Sequence, residues 1–123
     1  MEKRILIVDD EITTLLAYKK LFQKPGIEVD TAETLEEAKN LMGRENYHVI
    51  ITDLQLNGEN KEGGFEILRC VNKDYPETKA ILLTAHGNHV LKEKARSLGA
   101  SFYFEKPVPI LSLKAVLSIF GIE

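Results

Sequence analysis

The stretch that decides the fold is Ile5-Leu6-Ile7-Val8-Asp9-Asp10, in which four apolar residues end at two acids. Such a run predicts a buried strand whose carboxyl end meets a polar loop. The pattern returns in Val49-Ile50-Ile51-Thr52, which ends at Asp53, and in Ala80-Ile81-Leu82-Leu83, which ends at Thr84. Three apolar strands without alternating polar positions indicate a parallel sheet that helices cover on both faces.

Segments with helical or weaker strand patterns lie between and beyond these three runs. Apolar spacing predicts five helices, over 12–22, 34–42, 65–75, 90–98 and 110–120. A Thr34–Glu37 capping box supports the start of the second helix, and Pro109 suits the first turn of the fifth. Two more polar strands are predicted at 28–32 and 101–105. The fold class is therefore α/β: a (βα)5, doubly wound, five-stranded parallel sheet of the flavodoxin-like type, with strand order 2-1-3-4-5.

Length and composition restrict the class of protein. The 123 residues suit one domain with a single core, and no repeat or linker divides them. The single cysteine, Cys70, excludes an intramolecular disulfide framework. A net charge of −3 argues against binding nucleic acid by charge alone, and no apolar run approaches the roughly 20 residues of a membrane span. These features predict a cytoplasmic protein with no membrane contact.

Five polar side chains follow the carboxyl ends of predicted strands: Asp9, Asp10, Asp53, Thr84 and Lys106. Because these ends share one edge of a parallel sheet, we expect the five to converge. Clustered carboxylates raise one another's proton affinity, and a hard cation such as Mg²⁺ relieves that repulsion. A lysine and a hydroxyl beside a metal-bound carboxylate suit phosphoryl transfer, with a carboxylate as nucleophile. Taken singly, the acids and the threonine could each cap a helix or open a turn, but their coincidence favours a shared site.

These residues also carry a family resemblance. The segments ILIVDDE (5–11), VIITDLQL (49–56), AILLTAHG (80–87) and GASFYFEKP (99–107) resemble a response-regulator receiver domain of two-component signal transduction, of the chemotaxis-receiver type. The resemblance implies a domain that accepts a phosphoryl group from a sensor histidine kinase or a phosphotransfer protein in a Mg²⁺-dependent reaction. It also implies a switch in a protein-interaction surface rather than turnover of a separate substrate.

Carried over by position, the resemblance implies a phosphoacceptor and a metal site. Asp53 corresponds to the phosphoacceptor, and Asp9 and Asp10 to the acidic pair that holds Mg²⁺. Asp10 and Asp53 bind the ion directly in this scheme, Asp9 mostly through water, and the Gln55 backbone carbonyl is a further ligand. We therefore expect residues 1–123 to form one receiver domain with no output domain in this chain, either stand-alone or as part of a longer regulator.

The resemblance further assigns the residues that respond to phosphorylation. Thr84 corresponds to the switch hydroxyl, Lys106 contacts the phosphoryl group, and the Lys106–Pro107 bond is expected to be cis. Tyr103 falls at the aromatic switch position. It alternates with Phe102 and Phe104, so it faces the surface if they face the core. The alternative is a half-exposed strand tyrosine with no switching role.

The resemblance also implies that a downstream effector reads the switch from the surface formed by the fourth helix, the fifth strand and the fifth helix. A phosphorylation-dependent dimer is a further possible partner state. The last helix itself has an apolar stripe that suits the core better than a partner.

The chain departs from the family pattern after the acceptor. Asn57 stands where the family usually has proline, and the glycine before the next helical pattern is Gly64, which indicates about three inserted residues in the loop NGENKEGG (57–64). This enlarged loop borders the site, so it could alter partner access, or it could be a neutral surface insertion.

Gln55 and His86 lie two positions after the acceptor and the switch threonine, respectively. Family members place these side chains beside the approach of the hydrolytic water, so we expect them to tune the lifetime of the phosphorylated form. His86 and His89 could alternatively bind a transition metal, but no cysteine lies nearby and no third ligand has suitable spacing.

Two other classes share the topology. A Mg²⁺-dependent phosphatase or phosphotransferase with an aspartate nucleophile typically carries a second acid two residues on, where this chain has Gln55. A flavodoxin-like electron carrier has a hydroxyl- and glycine-rich loop after its first strand, where this chain has Asp-Asp-Glu-Ile. Both alternatives fit less well than the receiver.

Overall fold

The computed structural model describes residues 2–56 and 62–123 and contains five strands and five helices in strict alternation. They are β1 (Lys3–Val8), α1 (Ile12–Phe22), β2 (Ile27–Ala32), α2 (Leu35–Arg44), β3 (Val49–Asp53), α3 (Gly63–Asp74), β4 (Lys79–Thr84), α4 (His89–Ser97), β5 (Phe102–Glu105) and α5 (Ile110–Ile119). The strands are parallel in the order β2-β1-β3-β4-β5, which confirms the predicted topology.

The apolar strands β1, β3 and β4 form the centre of the sheet, and the polar strand β2 lies at one edge. Every residue of β3 is buried, because helices cover both of its faces. In β2 buried Ile27, Val29 and Ala32 are separated by less buried polar residues. The polarity of a strand therefore indicated its place in the sheet.

Alternation along the strands divides the core between the two faces of the sheet. Ile5, Ile7 and Ile51 pack with residues of α1 and α5 on one face. Leu6 and Ile50 point to the other face, against α2 and α3. A third cluster lies between the sheet, α3 and α4 and includes Leu54, Phe65, Leu68, Ala80, Leu82 and Ala95.

Helix α1 buries less of its apolar surface than its spacing suggests. Leu15 and Phe22 are buried, whereas Ile12 and Leu16 are 54% and 61% exposed. An outer helix presents only one stripe to the sheet, so apolar residues off that stripe stay in solvent.

The amino-terminal end of α2 has half of the predicted capping box. The Glu37 N–H donates to Thr34 Oγ1 at 3.1 Å, while the Glu37 side chain accepts from the Glu33 N–H at 3.4 Å instead of from the capping residue. The carboxyl end of α4 is closed by Gly99, which lies just beyond the capping residue Leu98. Its φ of +99° is the left-handed conformation that commonly ends a helix and that favours glycine.

Helix α3 begins at Gly63, two residues earlier than the apolar pattern predicts, so Gly63 and Gly64, the last two residues of the segment NGENKEGG, belong to the helix. The expectation that 57–64 is all loop is therefore wrong at 63–64, and residues 57–61 lie outside the described residues. The Gly64 N–H donates to the Leu54 carbonyl at 2.9 Å, which attaches α3 to the end of β3.

Gly64 approaches β3 so closely that a side chain has no room. A Cβ there would lie 2.5 Å from the Asp53 carbonyl oxygen and 2.7 Å from Leu54 Cα. Backbone atoms cannot yield as a flexible side chain can, so we expect Gly64→Ala to lower the free energy of unfolding by about 1–3 kcal/mol. Urea denaturation measures the difference.

Gly43 provides the matched control. It lies inside α2, and a Cβ at that position would meet no atom within 4 Å. Gly43→Ala should therefore stabilise the protein by up to about 1 kcal/mol, through helix propensity alone. Equal effects of the two substitutions would contradict the close approach at Gly64.

Among the described residues, no helix has both the length and the apolar character that a membrane crossing requires.

Candidate functional site

The predicted site residues meet at the carboxyl edge of the sheet. Asp9 directly follows β1, Asp53 and Thr84 are the last residues of β3 and β4, and Lys106 directly follows β5. Because all five strands are parallel, their carboxyl ends lie side by side. Residues almost one hundred positions apart in sequence are thereby brought into contact.

The three acids form one cluster. One carboxylate oxygen each from Asp9, Asp10 and Asp53 lies within 4.8 Å of the others. Asp9 and Asp53 are buried, and the Glu11 N–H donates to Asp9 Oδ1 at 2.9 Å. Burial raises the pKa of Asp10, and the charge of Asp9 raises it further. The surroundings of Asp10 within this cluster therefore disfavour its charged form.

Lys106 bridges two of these acids. Its Nζ donates to Asp9 Oδ2 at 2.9 Å and to Asp53 Oδ2 at 3.2 Å, and its side chain is only 22% exposed. Burial alone would lower the pKa of Lys106, but the hydrogen bond to Asp9 and the charges of Asp53 and Asp9 outweigh it and raise that pKa. The ammonium group thus offsets part of the charge of the cluster.

One oxygen of Asp53 is left without a protein partner. Among the described residues, only two buried side-chain oxygens lack a hydrogen-bond partner: Asp53 Oδ1 and the Tyr103 hydroxyl. Burial raises the pKa of Asp53, Lys106 opposes that shift, and Asp9 adds to it. A buried carboxylate oxygen without a partner, beside two further carboxylates, fits a hard divalent cation.

The Thr84 hydroxyl contacts Gln55 rather than Asp53. Thr84 is fully buried, and its Oγ1 donates to Gln55 Oε1 at 3.0 Å and accepts from the His86 N–H at 3.2 Å. The sequence indicated Gln55 and His86 as residues beside the approach of the hydrolytic water. The structure adds that both form a hydrogen bond with the Thr84 hydroxyl. His86 does so through its backbone, and its side chain is exposed.

Tyr103 is less exposed than the strand pattern predicts. Phe102 and Phe104 pack against the core beside α5, so the alternation along β5 is confirmed. Tyr103 points to the opposite face, but there it packs against the cluster that includes Ala95 of α4, and its hydroxyl is buried. The expectation that Tyr103 faces the surface is therefore only partly correct, because α4 covers this edge of the sheet.

Gly87, which the sequence did not single out, makes room for that hydroxyl. A Cβ at Gly87 would lie 2.6 Å from the Tyr103 oxygen. Burial raises the pKa of Tyr103, while the backbone amide of Asn88 opposes the shift without reaching hydrogen-bond geometry. The only signal in the sequence was the position of Gly87 within the matched segment AILLTAHG.

The chain turns sharply after Lys106. The Lys106–Pro107 peptide bond is cis, as the resemblance implies, and the Lys106 N–H donates to the Thr84 carbonyl at 2.8 Å. Lys106 is therefore attached by its backbone to β4 and by its side chain to β1 and β3. This arrangement holds an ammonium group against two buried carboxylates, with a threonine hydroxyl at the end of the neighbouring strand β4. Groups of these kinds are able to support transfer of a phosphoryl group.

Comparison with known proteins agrees with this chemistry. Residues 5–118 match the family model for the response regulator receiver domain. The chain is 31% identical to "Probable chemotaxis protein CheY" of Rhizobium etli, covering 96% of this chain and 92% of the relative. It is 27% identical to "Sporulation initiation phosphotransferase F" of Bacillus subtilis, covering 89% and 86%.

A solved structure extends the likeness to three dimensions. The CheY-like response regulator receiver domain protein of Methanospirillum hungatei superposes with a TM-score of 0.85 at 29% identity, covering 98% of each chain. The match of sequence and of fold runs over nearly the whole chain. The protein belongs to the response regulator receiver domain family of two-component signal transduction.

Proposed function

We propose that Asp53 is the phosphoacceptor, and that the chain acts as a switch modified by a sensor histidine kinase or a phosphotransfer protein. The observation that carries this is the environment of Asp53, with Oδ2 bound to Lys106 and Oδ1 buried without a partner. A carboxylate with one free oxygen beside a fixed cation is suited to attack phosphorus. Residues 1–123 act as one receiver unit in this proposal, and the family favours a cytoplasmic setting.

Mg²⁺ is the cation that suits this acidic cluster best. Asp10 and Asp53 would bind it directly, Asp9 mostly through water, and the Gln55 backbone carbonyl would be a further ligand. When bound, the ion offsets negative charge on the acceptor and on the incoming phosphoryl group. The unpartnered Asp53 Oδ1 supports this assignment.

The residues of the chain supply the remaining steps. A carboxylate oxygen of Asp53 forms a bond to phosphorus while the bond between phosphorus and the donor's histidine nitrogen breaks. Lys106, already 3.2 Å from Asp53, donates to the phosphoryl oxygens as negative charge moves toward them. Thr84 then donates its hydroxyl proton to the same group. Acceptance occurs once per cycle, so the domain is a modified switch and not a turnover enzyme.

The change at Thr84 reaches an effector through the surface of α4, β5 and α5. Thr84 pairs with Glu105 across the β4–β5 register, and Leu82 pairs with Tyr103 two residues earlier. Tyr103 also lines a cavity of about 220 Å³ with Lys92 and Arg96 of α4. An effector, or a second copy of the phosphorylated chain, would bind there.

The lifetime of the phosphorylated state depends on Gln55 and His86 in this proposal. Gln55 is partly exposed and His86 is exposed, and both contact the Thr84 hydroxyl at the edge of the sheet where Asp53 lies, which supports a position beside the path by which water reaches the acyl phosphate. Replacing both with small residues should change the rate of loss of the phosphoryl group after the donor is removed. An unchanged decay rate would contradict this role.

An aspartate-nucleophile phosphatase or phosphotransferase is not favoured. Such an enzyme typically carries an acid two residues after its nucleophile as acid and base, whereas Gln55 offers an amide that binds Thr84. An amide neither donates nor accepts the required proton.

Incubation with Mg²⁺ and a small acyl-phosphate donor tests the assignment. Intact mass should show one added phosphoryl group on the parent protein and none on Asp53→Asn. No adduct on the parent, or an adduct that persists in Asp53→Asn, would overturn the assignment of Asp53. Omitting Mg²⁺ should suppress the adduct, which tests the metal separately.

A further inference from the structure

The single hydroxyl proton of Thr84 is committed to Gln55. The donor–acceptor distance is 3.0 Å, Thr84 is fully buried, and the His86 N–H holds the hydroxyl oxygen from another direction. A threonine hydroxyl has one proton to donate, so it cannot serve Gln55 and a phosphoryl group on Asp53 simultaneously. The hydrogen bond to Gln55 therefore competes directly with phosphoryl binding.

We propose that the Gln55 side chain is a positioning residue that restrains Thr84 in the unphosphorylated arrangement and so weakens binding of a phosphoryl group at Asp53. The inference rests on the proposed function of Asp53 and concerns regulation of the same site. It is separate from the role of Gln55 in water access, because it acts only through the Thr84 hydroxyl.

The backbone around Gln55 is held firmly enough for this role. Gln55 lies between Leu54 and Leu56, which are 0% and 4% exposed. The Leu54 N–H donates to the Leu83 carbonyl at 2.7 Å, and the Leu54 carbonyl accepts from Gly64 at 2.9 Å. These bonds attach the segment to β4, next to Thr84, and to α3. The Gln55 amide is consequently presented to Thr84 from a fixed backbone.

Affinity for beryllofluoride in the presence of Mg²⁺ is the direct test, since this anion mimics a phosphoryl group on a carboxylate. Gln55→Met keeps the length of the side chain and removes the acceptor oxygen. It should bind beryllofluoride about fivefold more tightly than the parent, because one neutral hydrogen bond usually makes a net contribution of that size to an equilibrium. Calorimetric titration of the full chain measures the change.

Substitutions at Thr84 show whether Gln55 acts through the hydroxyl. In a Thr84→Val background, Gln55→Met should change the affinity no further, whereas in Thr84→Ser, which restores the hydroxyl, the gain should reappear. An effect on water access or on general packing would persist in Thr84→Val. The rotamer distribution of Thr84, measured by methyl NMR without beryllofluoride, should broaden in Gln55→Met.

The outcomes separate this inference from the proposed function. If the parent protein does not bind beryllofluoride, the assignment of Asp53 fails. If the parent binds it and Gln55→Met gains nothing, or gains equally in Thr84→Val, the restraint by Gln55 is refuted and the assignment of Asp53 stands.

Discussion

Lys106→Met should slow phosphoryl transfer from a small acyl-phosphate donor to Asp53 by about 10²–10³-fold, the usual effect of removing one preorganised donor from a transition state. The ammonium group lies 3.2 Å from Asp53 Oδ2 and 2.9 Å from Asp9 Oδ2. It is therefore already placed where charge develops on the phosphoryl oxygens. Time courses of adduct formation at saturating Mg²⁺ measure the rate.

The same substitution should destabilise the metal-free protein. Removing the cation leaves two buried carboxylates, 3% and 10% exposed, without their partner, which typically costs about 3 kcal/mol. Mg²⁺ should restore part of that loss, because it neutralises the same acids. Stability in urea with and without Mg²⁺ therefore shows whether a slow variant is merely unfolded.

Lys114→Met is the matched control for Lys106→Met. Lys114 lies on the exposed face of α5, so its removal changes the net charge equally without touching the acids. We expect parental rates and stability from this variant. The role of Lys106 would be contradicted if Lys106→Met transferred the phosphoryl group at a rate within about threefold of the parent rate. Loss of a transition-state donor usually has a much larger effect than that.

The sequence was sufficient to predict the sheet and the convergence of the site because both follow from the same rule. Apolar runs ending at Asp9, Asp53 and Thr84 predict central parallel strands, and parallel strands bring their carboxyl ends together. Nothing about the rotamers of these side chains was needed for that prediction. The location of the site is thus a property of chain topology.

Contacts that depend on packing could not be predicted in this way. The period of β5 gives the face on which Tyr103 lies, but its burial depends on how α4 crosses that face and on the absence of a side chain at Gly87. Similarly, Gln55 and Thr84 are recognisable as site residues, yet their hydrogen bond depends on two rotamers and on a backbone fixed by Gly64. Such contacts follow from three-dimensional packing and not from the period of the sequence.

The acidic cluster also shows that the site is not arranged for stability. Burial raises the pKa of both Asp10 and Asp53, so the folded protein holds these carboxyls less favourably in their charged form than water does. Lys106 offsets this only in part. The proposed Mg²⁺ site would need this excess of negative charge, and the same excess weakens the metal-free fold.

Asp10→Asn should reduce Mg²⁺ affinity by about 100-fold or more, since even residues that only orient metal ligands commonly contribute 10–100-fold. The same change should stabilise the metal-free protein, because it removes one charge from a cluster whose oxygens lie within 4.8 Å of one another. We expect a rise in Tm of about 4 °C, which a gain of ~1 kcal/mol produces in a chain of this length.

The pH dependence of that gain follows from the direction of the shift. Folding raises the pKa of Asp10, so ionisation of this carboxyl lowers the free energy of unfolding. The loss of stability develops as the pH rises from the ordinary carboxyl pKa through the raised pKa. The difference in stability between metal-free Asp10→Asn and the metal-free parent should therefore be largest at neutral pH. It should shrink as the pH falls toward the ordinary carboxyl value of 3.8.

Glu11→Gln removes a neighbouring charge and serves as the control for Asp10→Asn. Glu11 is exposed and contacts the cluster through its backbone N–H, and its charge is the smallest of the influences on the raised pKa of Asp10, so its substitution should leave Mg²⁺ affinity and Tm close to the parental values. Thermal melts with and without Mg²⁺ measure both quantities, because a ligand that binds only the folded state raises Tm according to its affinity. If metal-free Asp10→Asn melted below the parent, repulsion among these acids would not be what weakens the metal-free fold.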